Sequence, residues 1–92
     1  MATTQAQQFL HYDLGNCVKG SSVEVTLSSA ANVQLMDAAN FVAYRDGAPY
    51  RYYGGHVTKS PFLLRVPHDA QWHVAIDLGG AAGHVTASVR VL

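Results

Sequence analysis

A chain of 92 residues suffices for one domain and is too short to divide its core between two. With 49% hydrophobic and 13% charged residues, it is excluded from the class of disordered segments. A formal net charge of +0 supplies no field to draw it to nucleic acid or an anionic membrane, and no apolar run reaches the roughly 20 residues of a spanning helix. Neither nucleic acid nor membrane is expected as a partner.

Met1 to Gln8 is polar and reads as a flexible N-terminus, leaving 9–92 as a single domain. It lacks the basic and apolar segments of a secretory leader. With one cysteine, Cys17, no internal disulfide is available. Both features point to a reducing, cytoplasmic setting. A chain without net charge also associates readily, so a homo-oligomer is among the expected states.

The chain then alternates with period two, the signature of half-buried strands. In Phe9 to Leu14, residues Leu10, Tyr12 and Leu14 share a face opposite Phe9, His11 and Asp13. Gly15-Asn16 is read as the break, with Cys17 an ordinary thiol in the Gly15–Gly20 turn. In Ser22 to Leu27, residues Val23, Val25 and Leu27 face inward. Val33 to Met36 is a further candidate, too short for its period to decide. Between Asp37 and Gly47 the pattern changes. Phe41 and Tyr44 lie three apart, an Asp or Asn is available as N-cap and Gly47 as a stop, so one or two helical turns are expected near 38–46.

Pro49 to His56 is rich in tyrosine and ends near the pair Gly54-Gly55, read as serving a tight turn. Phe62 to Val66 alternates, and Pro67 to Ala70 is a turn. Gln71 to Leu78 is the clearest strand. Trp72, Val74, Ile76 and Leu78 occupy one face, and His73, Ala75 and Asp77 the other. It carries the only Trp, so it is read as a central strand that the others cover. Gly79 to Gly83 closes it. His84 to Leu92 alternates again, with Val85, Ala87, Val89 and Val91 facing inward. Five to eight short strands without long helices predict an all-β fold. The expected form is a small antiparallel, jelly-roll-like β-sandwich with one short helical turn.

Several segments taken together resemble a bacterial all-β domain family of unknown function. They are Phe9-Leu10-His11-Tyr12-Asp13-Leu14-Gly15, Leu35-Met36-Asp37 with Asn40-Phe41, Tyr52-Tyr53-Gly54-Gly55-His56, Ser60-Pro61, Val66-Pro67-His68 and Trp72 through Gly80. The resemblance spans roughly Phe9 to Leu92. It implies a sandwich found alone or joined to TIR-type signalling domains, and it implies no catalytic residues.

Two groups of residues carry chemistry. The first is the segment 44–56, with Tyr44, Arg45, Tyr50, Arg51, Tyr52, Tyr53 and His56. Tyrosine and arginine supply contact area with a polar tip and planar donors, which suits a small ligand or a protein partner. The bland alternative is that these tyrosines only cover a sandwich edge. The second group is the histidines His11, His56, His68, His73 and His84. By parity His11 shares a face with Asp13, and His73 with Asp77. If the first strand neighbours the Trp72 strand, His11 and His73 approach one another. His11, His73 and Asp77 are thus weak candidates for a transition ion, though no zinc-type spacing occurs.

No pair of acids, phosphate loop or nucleophile–base set is evident, so no cofactor is assigned and no enzyme is expected. The leading expectation is a non-enzymatic binding or sensing module acting through 44–56. The alternatives are a histidine-based metal-binding protein and a self-assembling structural unit.

Overall fold

The computed structural model describes residues 9–79 and 83–92. The segment 1–8, expected to be flexible, lies outside the described residues, as do residues 80–82 of the glycine-rich segment. The described elements run β1 (Leu10–Cys17), β2 (Ser22–Leu27), β3 (Ala31–Asp37), α1 (Ala38–Asp46), β4 (Tyr53–Val57), β5 (Phe62–Arg65), β6 (Ala70–Asp77) and β7 (Ala87–Val91). Two antiparallel sheets result, one ordered β1-β6-β3-β4 and the other β5-β2-β7. This is the small all-β sandwich that the periodicity predicts. Among the described residues, no helix is long and apolar enough to cross a membrane.

The Trp72 strand is interior to its sheet, with β1 on one side and β3 on the other. Trp72, Val74 and Ile76 enter the layer between the sheets and meet Val23, Val25, Val33 and Leu35. The Trp72 indole N–H, which needs a partner when buried, donates to the His68 carbonyl at 3.0 Å. Among the described residues nine large side chains are fully buried, and eight of them lie in this layer. At about 1.5–3 kcal/mol each, they outweigh the surface pairs Arg45–Asp46 and Arg90–Glu24, which contribute about 0–1 kcal/mol each. The Tyr12 hydroxyl also bridges the sheets, donating to the Ala87 carbonyl at 3.1 Å.

Helix α1 covers part of the outer face of the four-stranded sheet. Asp37 caps it by accepting from the Asn40 backbone N–H at 3.0 Å. Gly47, at φ 80°, ends it, with its N–H on Tyr44 O and the Ala48 N–H on Ala43 O. At nine residues the helix is somewhat longer than one or two turns. Phe41 seals a second, smaller core with Met36 and Ala75. Met36 lies on the outer face of β3 beneath this helix and interrupts the apolar/polar alternation that Ala31 to Leu35 keep.

Three readings are corrected. Gly15-Asn16 does not end the first strand. A bulge sets Leu14 out of register between Asp13 and Gly15, and the strand continues to Cys17. Gly15 adopts φ 67° and its N–H is held by the Asp13 carboxylate at 2.9 Å. The extra residue reverses the facing, so Cys17 enters the core instead of lying in a turn. Gly54-Gly55 is not a turn but part of β4, where a Cβ on Gly54 would overlap the Val33 carbonyl oxygen. The last strand begins at Ala87, and Val91, expected inside, is exposed, because it ends an edge strand of the smaller sheet.

Candidate functional site

The helix leaves the far end of that outer sheet face open. Parity on three neighbouring strands brings polar residues there. Asn32 and Gln34 come from β3, His56 from β4 and Asp77 from β6. Asn32 lies across from both His56 and Asp77 in the strand register, so the three form a row.

Asp77 organises the cluster. Its Oδ1 accepts from Asn32 Nδ2 and from the Gly79 backbone N–H, each at 2.9 Å. Its Oδ2 accepts from Gln34 Nε2 at 3.0 Å and from the Tyr44 hydroxyl at 2.6 Å. Four donors thus fill the carboxylate's acceptor sites. Tyr50 extends the network by donating its hydroxyl to Gln34 Oε1 at 2.6 Å. Asn32 Oδ1 faces His56 Nδ1 at 3.4 Å. An amide oxygen only accepts, so in this contact Nδ1 is the donor.

The tyrosines are held from the helix. Asn40 caps the segment after α1 by accepting the Arg51 backbone N–H at 2.8 Å. The rings of Tyr44 and Tyr50 meet edge to face at 5.0 Å, and Tyr50 and Tyr52 lie tilted at 5.7 Å. Burial is the main cause that pushes the Tyr44 hydroxyl far above its usual range, aided by its bond to Asp77 and that group's charge. Tyr50 is raised chiefly by burial, then by Asp77 and Tyr52, against a lowering from Gln34. Both hydroxyls therefore remain donors across the neutral range.

Together these groups enclose an open cleft of about 330 Å³, lined by Asn32, Gln34, Tyr50, Tyr52, Gly55, His56, Asp77 and Gly79. The sequence-derived set divides around it. Tyr50, Tyr52 and His56 line the cleft, and Tyr44 supports its floor from the helix side. Tyr53 does not join them. Alternation turns it to the inner side opposite Leu35, where its ring meets Trp72 edge to face at 6.1 Å. Arg45 pairs with its neighbour Asp46, and Arg51 is exposed outside the cleft lining. Asn32, Gln34 and Gly79 were not singled out from the sequence. Two amides at i and i+2 in a short apolar strand, matched in parity by an Asp on the central strand, are the signal that marks them.

The histidine expectation is met in part. β1 neighbours β6, and His11 Nε2 and His73 Nδ1 stand 2.9 Å apart. The Phe41 ring stacks on both imidazoles, at 4.0 Å from His11 and 4.8 Å from His73. Asp77 does not complete a ligand set with them, being held by the polar cluster. Among the described residues no three His, Cys, Asp or Glu side chains converge to hold a metal ion.

Fold and cleft together define a small all-β sandwich domain with a preformed polar cleft on one sheet face. The family model described as a domain of unknown function, DUF1883, matches residues 7–92, and the chain belongs to that family. No curated protein and no solved structure matches it.

Proposed function

We propose that the domain is a non-enzymatic binding module that takes a small ligand in the cleft between Tyr50, Tyr52 and His56. The observation that carries this reading is the four-fold hydrogen bonding of Asp77, which fixes the amides of Asn32 and Gln34 in place before any ligand arrives. Prearranged polar groups reduce the ordering cost of association. A half-exposed tyrosine at the rim adds contact area. Among the described residues the lining holds no serine, threonine, cysteine or lysine to act as a nucleophile, and its one carboxylate is engaged by four donors.

A mixed library of small metabolites, followed by amide chemical shifts of the isotope-labelled protein, tests the reading. Hits are expected to move the signals of Gln34, Tyr52 and His56 together, including the Asn32 and Gln34 side-chain amides. Hits confined to the opposite sheet, or to the His11–His73 end, would defeat it.

A further inference from the structure

We infer that the cleft is built for an uncharged polyhydroxyl ligand, a sugar ring, in contact with Tyr52 and the Asn32–Gln34 amides; this rests on the binding reading above. The first argument is charge. Among the described residues the lining contains no lysine or arginine, and a carboxylate lies in its floor. A phosphate or carboxylate ligand would meet that carboxylate without a fixed cation to offset it. A cationic ligand is disfavoured for a different reason. Both oxygens of Asp77 already accept two bonds each, so no lone pair points into the cleft to receive an ammonium.

The second argument is the mixture of polar groups left over. Gln34 is only 5% exposed, and its Nε2 carries two protons, one of them given to Asp77. The other has no protein acceptor among the described residues. The Tyr50 hydroxyl donates to Gln34 Oε1 and keeps its lone pairs. His56 faces Asn32 through Nδ1 and has no further side-chain partner at Nε2 among the described residues. Donors and acceptors therefore alternate over a short span. Vicinal hydroxyls, each of which donates and accepts, match such a surface without leaving a buried group unpaired.

The third argument is shape. A sugar offers a face of C–H bonds to an aromatic ring, and Tyr52 is a residue 47% exposed. The neighbouring Tyr50 ring is tilted by 37° at 5.7 Å, which leaves no parallel slot for a flat base between the two. A cleft of about 330 Å³ lies at the small end of ligand sites, which span about 300–1,000 Å³, and suits one or two sugar rings.

The test is a titration of the labelled protein with three panels: neutral mono- and disaccharides, the corresponding sugar phosphates and amino sugars, and nucleosides. Each compound is taken to its solubility limit. The expected result is that a neutral saccharide shifts the Asn32 and Gln34 side-chain amides and His56, and that Tyr52→Ala weakens its affinity about tenfold, the loss of one ring contact. The Tyr52 side chain is exposed enough that the variant keeps its fold, which the unchanged remainder of the spectrum verifies.

Cleft shifts from nucleosides or charged sugars, with silence from the neutral panel, would overturn the sugar assignment and leave the binding reading standing. Saccharide shifts that survive Tyr52→Ala at full affinity would also overturn it. A cleft that none of the three panels perturbs would remove the sugar assignment, and the metabolite library then judges the binding reading separately.

Discussion

The Tyr44 hydroxyl donates to Oδ2 of Asp77 at 2.6 Å, and this single bond ties helix α1 to the central strand of the larger sheet. It also completes the shell of donors that positions Asn32 and Gln34. Tyr44→Phe keeps the ring contacts with Phe9 and Tyr50 and removes only the donor. The expected cost is about 1–2 kcal/mol, measured as a shift of the urea midpoint at unchanged slope. Alkaline titration of the wild type gives an independent check. Burial and Asp77 raise the Tyr44 hydroxyl above the ordinary tyrosine value of 10. The unfolded chain therefore loses this proton first as the pH rises. Tyr44's contribution is complete below about pH 10 and declines above it. Tyr44→Phe should flatten that decline; a variant curve parallel to wild type would refute the assignment.

Gly54 sits in an edge strand whose backbone passes unusually close to its neighbour. A Cβ there would overlap the Val33 carbonyl oxygen, at φ 126°, a region that side chains rarely adopt. Gly54→Ala must therefore displace β4 from β3 and should cost more than about 3 kcal/mol. Gly55→Ala meets no atom within 4 Å, though its φ of 152° still strains it, so its cost should be smaller. Thermal unfolding of the two variants decides the matter, and equal midpoints would contradict the close approach.

The contrast between these glycines and the Trp72 strand explains what the chain discloses by inspection. β6 carries Trp72, Val74 and Ile76 on its inner face and Gln71, His73 and Asp77 with only the small Ala75 on its outer face, so its alternation is clean, and its central place follows. The same parity argument brought His11 and His73 together correctly. In β3 Asn32 and Gln34 alternate with Val33 and Leu35, but Met36, apolar beneath the helix, breaks the pattern and leaves a run too short for its period to decide. The bulge at Leu14 is a one-residue event that inverts every side chain after it, and no alternation rule anticipates it. Tyr53 shares its tyrosine-rich segment with Tyr50 and Tyr52, but in a strand adjacent residues point to opposite faces. Composition marked the segment as tyrosine-rich, whereas strand pairing decides which rings reach the cleft.

Cys17 follows from the bulge. It is only 6% exposed and packs in the core between the sheets. Burial raises its thiol above the ordinary value, so little reactive thiolate forms near neutral pH. Its reaction with a water-soluble disulfide reagent should be much slower in the native protein than in urea, and should track the unfolding transition. Immediate reaction of the native thiol would place Cys17 back in an exposed turn. Cys17→Ser should also destabilise, by about 1–3 kcal/mol, because a hydroxyl replaces a weakly polar thiol in the core.

His11 supplies the acid-side prediction. Burial lowers its pKa below the ordinary 6.5, helped by the charge on His73 and more weakly by Arg45, while Asp13 opposes them. The unfolded chain then binds the proton at higher pH than the native state. His11's contribution to stability is therefore complete above about pH 6.5 and is lost as the pH falls through the lowered native value. Protonation of both imidazoles would also turn the 2.9 Å contact with His73 from a hydrogen bond into a repulsion. The thermal midpoint should fall between pH 7 and pH 5, in the range where free histidine titrates. His11→Phe keeps a ring against Phe41 and removes the titrating group, so its midpoint should fall less over the same interval. An equal fall in the variant would show that the acid sensitivity lies elsewhere in the chain.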